Sequence, residues 1–134
     1  MQRDYRAIAL SIFAADLGRS AHPYAMNLEE IGRYTVAFDT LMTHWKSVLG
    51  ARFIKVSYEK LVTRPTEEIP QLLKSLGLEP SEACLHPERS DRSINTMSVA
   101  QARKPISTGS VQAWRRFEDG LKPVSDILAE NGLL

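Results

Sequence analysis

The sequence predicts an α/β chain, mostly helical with about one core strand, in a single domain over residues 1–134. Three observations lead there. Apolar residues recur at helical spacing between Asn27 and Gly50. Residues 52–58 form a short β-branched and aromatic run after a glycine. Most other apolar residues fall into short helical patterns punctuated by glycine and proline.

The composition is that of a folded domain, with 43% hydrophobic and 25% charged residues. No apolar run approaches a membrane span, so no membrane association is expected. The first residues carry an acid, Asp4, and no apolar region before a cleavage site. A signal peptide is therefore not expected, and the expected location is the cytoplasm. Cys84 is the only cysteine, which excludes a disulfide within the chain and a cysteine-rich zinc site. It reads as a small buried hydrophobe between Ala83 and Leu85. Net charge is +1, but Arg92, Arg103, Lys104, Arg115 and Arg116 fall in a stretch with no acid. Such a run is either a solvated basic face or a site for an anion; no nucleic-acid partner is expected.

A first helix is expected over 4–17, with Ile8, Ile12 and Ala15 on one face and Gly18 as its stop. Residues 18–26 read as a loop. The strongest helix follows, capped by Asn27 with Glu30 completing a capping box. Ile31, Thr35, Phe38, Met42, Trp45 and Leu49 form its stripe, and Leu28, Leu41 and Val48 widen it. A stripe this wide needs a broad partner surface. Residues 52–58 are expected to be a strand ending at Tyr58. A further helix is expected over 67–76, with Pro70 in its first turn and Gly77 closing it. Short helices are expected over 80–85 and 123–128. Residues 86–110 form a long polar loop, after which Thr108 or Ser110 would cap a piece containing Val111, Trp114 and Phe117. One strand cannot make a sheet, so its edges call for a partner outside the chain.

Three groups suit an anionic nucleotide. Arg3 precedes a helix start, with Ser11 eight residues on, so a phosphate would meet both a guanidinium and the helix amides. Tyr58 stands at the end of the expected strand, where ligands sit in open α/β sheets. Residues 98–109 combine small residues with Lys104 before Trp114-Arg115-Arg116, a candidate phosphate nest. Each has an ordinary alternative: a solvent-exposed arginine, a tyrosine capping the core, a mobile basic loop.

Taken in order, the three groups resemble the PAPS-dependent sulfotransferases, which use 3′-phosphoadenosine 5′-phosphosulfate (PAPS). Arg3-Asp4 followed by Ser11 is similar to the family's R-(D/N)-x-x-D-x-x-x-S segment. Val56-Ser57-Tyr58-Glu59-Lys60-Leu61 followed by Pro65 is similar to V-x-Y-E-D-L…P. The run from Ser98 through Gln101, Arg103, Lys104, Pro105 and Ile106, then Ser110 and Trp114-Arg115-Arg116, resembles S-x-x-Q-V-R-x-P-I…W-R-R. That last pattern is typical of bacterial, tetratricopeptide-associated members and of tyrosylprotein sulfotransferases. The connecting helix (Leu28 to Tyr34, Leu41-Met42, His44-Trp45) matches too.

The resemblance implies the C-terminal part of a P-loop-like three-layer domain, using PAPS or its product adenosine 3′,5′-bisphosphate (PAP). Cofactor-binding roles fall on Arg3, Ser11, Tyr58, Ser98, Lys104 and Arg115. Arg3 and Ser11 would hold the 3′-phosphate, and Tyr58 would contact the adenine. Ala15 and Ala113 depart from the pattern at positions where relatives carry basic residues. The family's 5′-phosphosulfate loop and catalytic base lie upstream of the residue matching Arg3, and no G-x-x-x-x-G-K-(S/T) occurs in these 134 residues. The chain alone is therefore expected to be inactive, whether as a truncated product or as one half completed by a second chain. The alternative is a non-catalytic helical interaction module derived from a sulfotransferase. No catalytic or metal-binding residue is expected within it.

Overall fold

The computed structural model describes residues 1–15, 17, 21–90 and 104–134. Five α-helices occur among them: α1 (Tyr5–Ala14), α2 (Leu28–Leu49), α3 (Tyr58–Thr63), α4 (Pro65–Ser75) and α5 (Lys122–Glu130). Short 3-10 turns cover Pro23–Met26, Gly50–Arg52, Glu82–Leu85, Pro87–Arg89 and Ala113–Phe117. The chain divides into two compact units, Arg3–Phe53 with Ser110–Leu134, and Met1–Gln2 with Ile54–Gly109.

The larger unit is built on α2, and its start follows the sequence. The Asn27 side chain accepts from the Glu30 amide at 3.1 Å, while the Glu30 carboxylate pairs with Arg33 rather than turning back to complete the box. Gly50 ends the helix at φ 53°, a left-handed conformation that glycine adopts without a Cβ penalty. Ile31 is fully buried and meets Ala9 of α1 with Val124 and Leu128 of α5. Gly32 lets α5 come close: a Cβ built there would lie 3.2 Å from Ile127 Cδ1. Ala7, Trp114 and Leu121 form a second cluster. Tyr5 donates its hydroxyl to the Asp39 carboxylate and so ties α1 to α2. Burial, then that bond and the Asp39 charge, push the Tyr5 phenol well above its ordinary range.

The stripe of α2 is covered only at its N-terminal end. Ile31 and Thr35 are buried, while Phe38, Leu41, Trp45 and Val48 are 40%, 47%, 41% and 57% exposed. Among the described residues of its own unit, none covers the C-terminal half of the stripe.

In the smaller unit, Ser57 caps α3 by accepting from the Lys60 amide at 3.3 Å. α4 begins at Pro65, earlier than expected, so Pro70 lies inside the helix and not in its first turn. Having no N–H, Pro70 cannot bond to the Thr66 carbonyl. Leu78 N–H donates to Leu73 C=O and Gly77 N–H to Lys74 C=O, a glycine-centred stop at φ 69°. Residues 80–85 give only the 3-10 turn Glu82–Leu85. Cys84 is exposed, contrary to its apolar setting in sequence, because Leu85 takes the inward position on that turn.

The expected strand does not form. Among the described residues there is no strand, only one parallel bridge between Gln2 and Ser57. A strand needs a partner over several residues, and Gln2 offers one. The fold is mostly helical, and no described helix is long and apolar enough to cross a membrane.

Candidate functional site

Arg3 stands just before α1 and is half-buried. Its guanidinium donates to the Ser110 carbonyl at 2.9 Å, although the two residues lie 107 positions apart. Two of the segments singled out in the sequence therefore meet at the start of α1. The helix end itself is not vacant. Asp4 is the N-cap, and its carboxylate accepts from the Arg6 amide at 2.9 Å. An anion here must rely on Arg3 more than on helix amides, because a carboxylate already occupies the amide-rich end.

Asp4 is in turn neutralised by Arg6, whose Nε and Nη2 donate to it at 3.1 and 2.8 Å. Burial alone would raise the Asp4 carboxyl, but the hydrogen bonds and charge of Arg6 outweigh this and hold it below its ordinary value. The same guanidinium lies 3.8 Å from the centre of the buried Trp114 ring. Arg115 stands 5.6 Å from that ring and is itself exposed. Arg115, Arg116, Glu118 and Asp119 line an open hollow of about 390 Å³. Two cations against two carboxylates leave that hollow without net charge, a poor trap for phosphate on its own. Ser11 is exposed on α1, two turns beyond the cap. The 3-10 turn Ala113–Phe117 has no side-chain cap from Thr108 or Ser110; Gln112 occupies the cap position.

In the smaller unit, Tyr58 is the first residue of α3 and not the last of a strand. Its N–H donates to Gln2 C=O at 2.7 Å, and its side chain is half-buried. Lys104 is exposed in a bend. Ser98 lies outside the described residues. The structure thus brings Arg3 to the Ser110–Trp114 segment, and it keeps Tyr58 and Lys104 in a different unit from Arg3, Ser11 and Arg115.

The sulfotransferase-family model, described as "Sulfotransferase family", matches residues 1–82. This chain belongs to the sulfotransferase family. The matched stretch includes Arg3, Ser11 and Tyr58 but not Ser98, Lys104 or Arg115. A protein of Aquifex aeolicus (strain VF5) described as "Uncharacterized protein" is 33% identical over 118 residues, 88% of this chain. The sulfotransferase chain spans about 15% of that relative's length.

Arg6 is the residue that sequence reasoning missed in this sulfotransferase chain. Its aromatic partner is at the far end of the chain, so only a long-range contact reveals the role. The departure at Ala113 has a related answer: a cation does reach Trp114, but it comes from α1. His22 and His44 are exposed beside Tyr24 and Trp45, and His86 Nδ1 is 3.1 Å from Glu88 Oε1. Among the described residues no cluster could hold a metal ion.

Proposed function

We propose that this chain is the part of a sulfotransferase that holds the adenosine 3′-phosphate portion of PAPS. The observation that carries the reading is the bond from Arg3 to Ser110, which brings the segment starting at Arg3 against the segment leading to Trp114-Arg115-Arg116. Arg3 would hold the 3′-phosphate through charge-assisted hydrogen bonds, with the exposed hydroxyl of Ser11 as a further donor. Tyr58 would offer a ring to the adenine, and Ser98, Lys104 and Arg115 would add donors and positive charge. The residue chemistry fits a phosphate: a half-buried arginine whose neighbouring acid is already neutralised by Arg6.

When bound, PAPS supplies the sulfuryl group that passes to a hydroxyl or amine acceptor. The residues named here are assigned to binding and orienting the nucleotide. The chain alone is therefore expected to bind and not to turn over.

Titration calorimetry with PAP tests the reading. Binding is expected to be weak, to fall with added salt, and to drop about tenfold or more in Arg3→Ala, equivalent to at least about 1.4 kcal/mol. Absence of heat with the wild-type chain, or equal affinity in Arg3→Ala, would remove the nucleotide reading and leave the helical interaction module.

A further inference from the structure

Arg3 is followed directly by Asp4, so the residue assigned to the phosphate stands next to a carboxylate. A carboxylate and a phosphate ask the same of a guanidinium: a pair of N–H donors and a positive charge. Asp4 is therefore a competitor for Arg3 that is built into the chain. The structure engages it elsewhere. One Asp4 oxygen accepts from the Arg6 amide at 2.9 Å and from Arg6 Nε at 3.1 Å, and the other accepts from Arg6 Nη2 at 2.8 Å. Both oxygens are thus occupied by one residue.

Arg6 is in turn held by a residue far along the chain. Its guanidinium lies 3.8 Å from the centre of the Trp114 ring, and Trp114 is buried in a cluster with Ala7 and Leu121. The ring supports the face of the planar fork, and a fork held in place loses little further freedom on meeting a carboxylate. Each side chain of the ion pair is about a quarter exposed, so water only partly screens it. With one edge on Asp4 and one face on Trp114, Arg6 is committed to the protein and not to a ligand.

We propose that Arg6 is a positioning residue for nucleotide binding: by occupying Asp4, it leaves the Arg3 guanidinium to the phosphate. This rests on the reading that Arg3 holds the 3′-phosphate. It adds that the tightness of that contact is set by a residue that does not touch the ligand. Without Arg6, the Asp4 carboxylate turns to the nearest guanidinium in sequence, Arg3, and a phosphate must displace it.

Titration calorimetry with PAP tests this on the intact chain and its variants. Arg6→Met keeps an apolar stem against Trp114 but loses the charge, and its affinity is expected to fall about tenfold. Arg6→Lys keeps a charge without the fork, so it is expected to lose less. Adding Asp4→Asn removes the competing charge and keeps a good N-cap; it is expected to bring Arg6→Met back to within about threefold of wild type. A merely structural role predicts no such rescue, because Asp4→Asn restores neither the ion pair nor the ring contact. If Arg6→Met is unfolded at the titration temperature, Arg6→Lys with and without Asp4→Asn makes the same comparison. Wild-type affinity in the Arg6 variant, or no recovery on adding Asp4→Asn, overturns the proposal. So does a larger loss in Arg6→Lys than in Arg6→Met. Binding that is lost in Arg3→Ala but unchanged in Arg6→Met removes this proposal and leaves the nucleotide reading standing. A wild-type chain that does not bind PAP removes both.

Discussion

Arg6 joins two parts of the larger unit through two different interactions. It pairs with Asp4 at the N-cap of α1 and covers the face of Trp114. Both side chains of the ion pair are about a quarter exposed, so the pair is screened less than a surface bridge. Arg6→Met keeps much of the apolar stem but removes the charge. It is expected to cost about 1–2 kcal/mol in urea denaturation, from the lost cation–π contact and the lost ion pair with Asp4. The pH dependence has a definite sign. Asp4 is held below its ordinary value of 3.8, so its stabilisation is present above that value and is lost as pH falls through the lower folded value. Stability measured from pH 6 down to pH 3 should fall in the wild-type chain and fall less in Asp4→Asn. Equal slopes would show that the pair contributes nothing.

α2 shows how one helix can be well specified locally and only partly satisfied by its surroundings. Its cap at Asn27, its stop at Gly50 and its buried Ile31 are consistent with one another. The close approach of α5 rests on Gly32, where a Cβ would already press on Ile127. Gly32→Val is expected to destabilise the larger unit by about 1–3 kcal/mol through overpacking. A smaller loss for Gly32→Ala would follow if Ile127 shifts by a few tenths of an ångström. Thermal melts of the two variants against wild type decide this; a Gly32→Val melt at or above wild type would show that the helices separate freely.

For the chain as a whole, the exposed half of the α2 stripe is an unmet demand. Phe38, Leu41, Trp45 and Val48 leave an apolar stripe of α2 exposed, and exposed apolar patches mark association surfaces. Concentration-dependent sedimentation is expected, and Leu41→Glu with Trp45→Glu should shift it toward the monomer. A wild-type chain that stays monomeric at all concentrations would mean that the patch is tolerated. No turnover is expected when the chain alone is given PAPS and a phenol or peptide acceptor. A measurable rate would show that chemistry resides in residues assigned here only to binding.

Much of this was written in the sequence because it depends on neighbours. Asn27 with Glu30, Gly50, Gly77 and the run of apolar residues in α2 specify helix ends and faces within a few residues of each other. The family, too, was legible from ordered local motifs around Arg3, Ser11 and Tyr58. Other features depended on residues far apart. The run 52–58 has strand chemistry, yet a strand is a property of pairs, and a single rung to Gln2 does not make one. Tyr58 consequently opens a helix in place of closing a strand. Cys84 lies between apolar neighbours but faces outward, because burial is settled by what packs against a turn and not by the residues beside it. The meeting of Arg3 with Ser110, and of Arg6 with Trp114, joins the two ends of the larger unit. Local pattern sets which elements form; only tertiary contact decides which side chains share one place, because long-range packing and pairing carry no local spacing by which to be read.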